Sequence, residues 1–155
     1  MSDYNNLISS ITNERALMDI EMGKYNEKRV IKWFNENTFK DNPLRLFKNP
    51  FNYMDMISTD NKNVMELKSR NIKSNQYPDM MIGLNKINEA KYSYEKADYH
   101  FLFLCKDGLY GWIYSPEKKL NIRMGGRIDR GKDERKMCAF IPSKDLLCIT
   151  TDITT

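Results

Sequence analysis

The chain has 155 residues, of which 41% are hydrophobic and 30% charged, with a mean hydropathy of -0.67 and a formal net charge of +4. That length suits one domain around one hydrophobic core and leaves no room for a second of ordinary size. No apolar run approaches the roughly 20 residues needed to cross a bilayer, and MSDYNNLISSITNE lacks the basic and apolar regions of a secretory leader; an intracellular protein with no membrane partner is expected.

In chain order, Leu7, Ile8, Ile11, Leu17 and Ile20 recur at mostly helical spacing between about Asp3 and Met22, which predicts one or two short helices broken near Ser9-Ser10 and Thr12-Asn13. After Gly23 a stronger helix is predicted from Tyr25 to Asn37, with Val30, Ile31 and Phe34 on one face. Glu27 precedes these residues by three, four and seven positions, so it shares their buried stripe. LRLFKN, bracketed by Pro43 and Pro50, and FNYMDMIS are strand candidates. The polar turn TDNKN then leads into VMELKSR, a connection short enough for an antiparallel hairpin.

A second helix is predicted from Pro78 or Asp79 to about Tyr92, on the spacing of Met80, Met81, Leu84, Ile87 and Lys91. HFLFLC reads as a buried strand, GWIYS follows the turn KDG, and MCAFIP and LLCIT read as strands around Pro142-Ser143-Lys144. Cys105, Cys138 and Cys148 lie in apolar surroundings and read as reduced core residues; with the single His100, itself read as structural, they lack the paired spacing of a zinc site. The methionines read as core filling.

Charge is unevenly placed. Residues 1–60 carry eight Lys/Arg and nine Asp/Glu, whereas residues 118–136 carry eight basic residues (Lys118, Lys119, Arg123, Arg127, Arg130, Lys132, Arg135, Lys136) against three acids. Such a block either neutralises a phosphate backbone or forms a solvated loop. Gly125-Gly126 permits positive φ and close backbone approach, and Arg127 and Arg130 carry the forked donors that suit phosphate.

Nine Glu and 17 Lys give roughly one Glu-x-Lys by chance; the chain has four, and only Glu66/Lys68 falls in a strand pattern. There a spacing of two puts both side chains on one face, whereas on a helix they would diverge by about 200°. Asp55, eleven positions earlier, returns to the same place if the segment folds as a hairpin. Clustered carboxylates repel unless a divalent cation lies between them, and magnesium suits such oxygen ligands. An ion there polarises a phosphoryl oxygen and orients water while the lysine stabilises developing charge, the chemistry of phosphodiester hydrolysis.

This arrangement resembles the PD-(D/E)XK nuclease superfamily in three features: GKYNEKRVIKWF resembles its first core helix, with Glu27 as the inward acid; Asp55 matches its aspartate, here preceded by Met54 in place of proline; and MELK matches its Glu-x-Lys. The region from GWIYS through MGGRIDRGKDERKMCAFIP is similar to tails of small nucleases of bacteriophages and large DNA viruses. The resemblance implies an α/β fold with a restriction endonuclease-like αβββαβ core over about residues 23–105, a mixed central sheet flanked by helices, an N-terminal helical extension (1–22), and a C-terminal basic hairpin and further strands (106–155). It implies catalysis by Asp55, Glu66, Lys68 and Glu27, with metal held by Asp55, Glu66 and the Leu67 carbonyl. Mg²⁺ is the expected ion and Mn²⁺ its substitute. DNA is the expected partner, contacted by Arg127, Arg130, Lys132, Arg70, Lys73 and Gln76, although Gln76 equally suits a turn in SNQYPD. Endonuclease action is favoured over exonuclease action, and cutting both strands favours a homodimer. The alternative is a non-catalytic nucleic-acid-binding or host-interacting protein on the same fold.

Overall fold

The computed structural model describes residues 14–49, 52–129 and 131–155. The first helix, α1 (Glu14–Asn37), runs unbroken through Gly23, where the sequence predicts a break. One interior glycine costs only about 1 kcal/mol relative to alanine, and the packing of the helix's second half offsets it: Asn26, Val30 and Phe34 are buried at the four-residue spacing of one face. The turns expected around Leu7, Ile8 and Ile11 lie outside the described residues, as do Pro50 and Arg130.

Strands β1 (Leu44–Leu46), β2 (Met56–Ser58) and β3 (Asn63–Ser69) form an antiparallel meander. The predicted β2–β3 hairpin is present, pairing Met56 with Met65 and Ile57 with Val64. Its turn places Asn61 at φ 63°, a conformation that asparagine tolerates better than most residues. Strand β2 is shorter than FNYMDMIS predicts, because Asn52 turns the chain by accepting the Met54 N–H through Oδ1 at 3.0 Å.

The segment Asp79–Gly83, predicted as the first turns of a helix, is instead strand β4, and helix α2 (Leu84–Ser93) begins only after it. The spacing of Met80, Met81, Leu84 and Ile87 fits a helix, but burial alternates over the first part, with Met80 and Ile82 buried and Met81 less so. The segment is captured by β8 (Lys136–Pro142), which it pairs from Asp79↔Pro142 to Gly83↔Cys138. Strand β5 (Asp98–Cys105) then returns parallel to β3, β6 (Gly108–Ile113) pairs antiparallel to β5, and β9 (Leu147–Thr150) closes the edge. Strand β7 (Asn121–Gly125), not predicted, pairs with β8.

The class is α/β as predicted. The central sheet is mixed and six-stranded, in the order β1-β2-β3-β5-β6-β9, and a separate three-stranded sheet has the order β4-β8-β7. The expected αβββαβ order survives with β4 inserted before the second helix. One face of the central sheet, through Met56, Met65, Leu67, Leu102 and Leu104, packs on Val30 and Phe34 of α1. Its other face, through Ile57, Val64, Phe101 and Phe103, packs on Ile87 and Ala90 of α2 and on Met80, Ile82, Ala139 and Ile141 of the second sheet. Cys105 and Cys138 are buried, but Cys148 is exposed, a correction explained by the edge position of β9 beside exposed Leu147. Among the described residues no helix is long and apolar enough to cross a membrane.

Candidate metal-binding and catalytic site

Glu66 and Lys68 share the face of β3 that carries Val64, as a spacing of two requires, and this face looks toward α2 and the second sheet. Glu66 is 2% exposed. The Lys68 Nζ lies 3.1 Å from its Oε1, and a second ammonium, Lys86 Nζ from the first turn of α2, lies 3.5 Å from the same oxygen. The other oxygen, Oε2, is buried with no hydrogen-bond partner among the described residues. Burial, and secondarily the negative charge of Asp55, push the Glu66 carboxyl up to about 7 against the pull of both lysines.

Asp55 precedes β2 by one residue yet is held as if in the strand: its N–H donates to the Met65 carbonyl and its carbonyl accepts from the Phe47 N–H, each at 3.0 Å. Its Oδ2 accepts the Leu67 N–H at 2.7 Å, so the carboxylate lies beside the peptide between Glu66 and Lys68. Glu27 approaches from α1. It is half-buried, pairs with Lys24 at 3.4 Å, and its carboxyl is raised above the ordinary range by burial and then by the charge of Asp55. Asn26 fixes the helix here: buried beside Glu27, it donates to Ser69 Oγ at 2.9 Å, one residue past Lys68.

An orphaned carboxylate oxygen inside the protein costs about 1–3 kcal/mol or more if nothing satisfies it, and a divalent cation does so while cancelling the repulsion between Asp55 and Glu66. The donors fit. Among the described residues no group of three His, Cys, Asp or Glu side chains is arranged to hold a metal, but Mg²⁺ commonly takes one or two carboxylates and keeps several waters. Asp55 and Glu66, with the adjacent Leu67 carbonyl, make such a set, and Glu27 stands behind them.

The described residues expected to contact nucleic acid come from three stretches, the end of β3, the turn after it and the β7–β8 hairpin, and Arg127 lies near enough to Arg70 for their charges to interact. Arg70 is half-buried and bridges the end of β3 to β4, donating to the carbonyls of Ser69 at 3.2 Å and Met81 at 3.3 Å. Lys73 and Gln76 are exposed in one turn that they close themselves, the Gln76 N–H donating to the Lys73 carbonyl at 3.1 Å. Arg127 is forked onto Asp129 at 2.6 and 2.8 Å and reaches Asp19 of α1 at 3.5 Å. Lys132 is exposed. Gly126 is required here, because it has φ +118° and a Cβ on it would lie 2.6 Å from the Glu134 carbonyl oxygen, whereas a Cβ at Gly125 would meet first the flexible end of Met81. His100 Nε2 lies 3.0 Å from Asn63 Oδ1, away from the carboxylates.

Sequence reasoning missed Asn26 and did not bring Lys86 to the carboxylates. With α2 predicted to begin at Pro78, the phase of Lys86 was unreadable; a helix beginning at Leu84 turns it inward with Ile87 and Ala90.

The family described as Phage putative PDDEXK endonuclease matches residues 15–146. The chain belongs to that family. The match spans α1, the hairpin carrying Asp55, Glu66 and Lys68, both sheets up to β8, and the basic stretch. Membership in this phage PDDEXK endonuclease family gives the chain the coarse character of a nuclease of the PD-(D/E)XK type, a type that acts with divalent metal on DNA. No curated protein and no solved structure matches the chain.

Proposed function

We propose that this chain is a Mg²⁺-dependent deoxyribonuclease of endonuclease type, with Mn²⁺ as an effective substitute, and that Asp55, Glu66 and the Leu67 carbonyl hold the ion. The observation that carries this reading is the buried, partnerless Glu66 Oε2 beside a second carboxylate and an ammonium. When bound, the ion supplies Lewis acidity to a phosphoryl oxygen and activates water. Lys68, one-third exposed beside Glu66, stabilises the charge that develops on the phosphate. Asp55 is oriented by the Leu67 N–H, which fixes one of its carboxylate oxygens. Apo and metal-loaded protein titrated with Mg²⁺ by calorimetry, with DNA cleavage followed in parallel, test the reading; absence of both sinks it.

Glu27, raised above the ordinary carboxylate range and paired to Lys24, acts on the ion indirectly. Glu27→Gln is expected to weaken the metal dependence of cleavage by about 10–100-fold, the usual cost of losing a residue behind the ligands. A magnesium titration indistinguishable from wild type would make Glu27 structural.

We also propose that the β7–β8 hairpin grips DNA outside the catalytic core, with Arg127 trading its ion pairs to Asp129 and Asp19 for phosphate. Replacing Arg127 and Arg130 by Ala is then expected to weaken binding to all sequences alike, because phosphate contacts position a duplex without reading it. The slope of log affinity against log salt should flatten by up to about 1.8, while turnover at saturating DNA survives. An unchanged slope would make this segment a solvated hairpin. A symmetric pair of chains is the assembly we propose for cutting both strands.

A further inference from the structure

Lys86 is a charged group in contact with Glu66 that the chemistry above does not use. It is a lysine whose side chain is only 16% exposed, placed on the first turn of α2. Its Nζ donates to the Tyr53 carbonyl, two residues ahead of Asp55, and lies 3.5 Å from Glu66 Oε1. It therefore clamps both carboxylate-bearing segments to α2. An ammonium has three donors, and these two contacts leave one without a protein partner among the described residues.

Charge counting shows what that donor faces. Glu27 is set against Lys24, and the nearest remaining charges, Asp55 and Glu66 against Lys68 and Lys86, cancel without any ion, with the Arg70 guanidinium a further positive charge within reach of Glu66. Adding a divalent cation leaves an excess of at least two positive charges in a half-buried site, more than Lys68 alone explains. That excess favours an anion beside the ion, and a phosphodiester oxygen is the anion that the proposed reaction brings. The bond from Lys86 to the Tyr53 carbonyl is independent of Glu66, so it holds the ammonium in place and spares the ordering of a long side chain.

We propose that Lys86 is a second phosphate-binding cation of this site, taking a non-bridging oxygen of the scissile phosphodiester while Lys68 serves the chemical step. The proposal rests on the nuclease reading above. Its test uses the full chain and a 20-base-pair DNA duplex in Ca²⁺, which fills oxygen sites of looser geometry than Mg²⁺, so that binding is read apart from turnover. Lys86→Gln keeps a donor for Tyr53 and loses the charge; Lys86→Arg keeps the charge. For Lys86→Gln the expected result is binding weaker by on the order of tenfold and a salt slope flatter by about 0.9. In Mg²⁺ its KM should rise more than its kcat falls. Lys86→Arg should recover the wild-type slope, which a packing role would not predict, and it keeps the test sound if the Gln variant misfolds. Ca²⁺-dependent binding by wild type with the same slope in both variants would overturn the role of Lys86 alone. Failure of the wild-type protein to bind the duplex in Ca²⁺ would overturn this proposal, while the nuclease reading would stand or fall on cleavage of other DNAs in Mg²⁺.

Discussion

Replacing Asp55 or Glu66 by Ala is expected to reduce Mg²⁺-dependent cleavage by on the order of a thousandfold or more, the scale seen when one group that stabilises transition-state charge is lost. Each change removes half of a two-carboxylate set, and the Leu67 carbonyl with water cannot replace a negative charge against a divalent ion. The two variants should also lose the calorimetric signal of metal binding, and combining them should cost little more than either alone, because the residues act as a unit. Their folding should differ. Asp55→Ala frees one backbone N–H, that of Leu67, whereas Glu66→Ala opens a cavity and strips a part-buried Lys86 of its acid partner, so the second should lose more stability. A fully active Glu66→Ala protein would remove the catalytic assignment.

Stability of the metal-free protein should depend on pH through Glu66. Its carboxyl is raised from 4.5 to about 7 in the folded chain by burial and by Asp55. A group whose folded value lies above its unfolded one binds its proton more tightly when folded, so the stability it contributes is complete below about 4.5 and is lost as pH rises to about 7. That gap corresponds to about 3 kcal/mol for a carboxylate this deeply buried. In chelator-treated protein, Glu66→Gln should flatten this part of the curve and leave the variant more stable than wild type above pH 7. Metal reverses the sign for wild type: the ion competes with a proton for Glu66, so Mg²⁺ affinity should fall about tenfold for each pH unit below 7. Parallel stability curves for wild type and Glu66→Gln across this range would show that Glu66 is not buried as an acid.

The parts of the molecule that the sequence makes legible are those governed by a single local rule. Glu66 and Lys68 meet because residues two apart in a strand share a face, and the hairpin is written in the polar turn between two apolar strands. Residues 25–37 are readable because Val30 and Phe34 mark a continuous helical stripe. What was misread depends on partners distant in the chain. Residues 79–83 fit a helix by spacing and become a strand because β8, more than 50 positions later, supplies the ladder. Strand β7 carries Ile122 and Met124 exposed; backbone pairing holds it, with little burial to mark its period. The same error of phase kept Lys86 from being placed beside Glu66. The basic stretch announces charge but not its use, since Arg127 closes on acids from its own hairpin and from α1.

The central claim is that this chain hydrolyses DNA with a divalent ion held at Asp55 and Glu66. Its most direct test is incubation of the wild-type protein with a panel of labelled linear, nicked and branched DNAs in Mg²⁺, in Mn²⁺ and in chelator. Cleavage of at least one of these DNAs is expected in either metal, and of none in chelator. Intact DNA throughout the panel in both metals, or cleavage that persists in chelator, would contradict it.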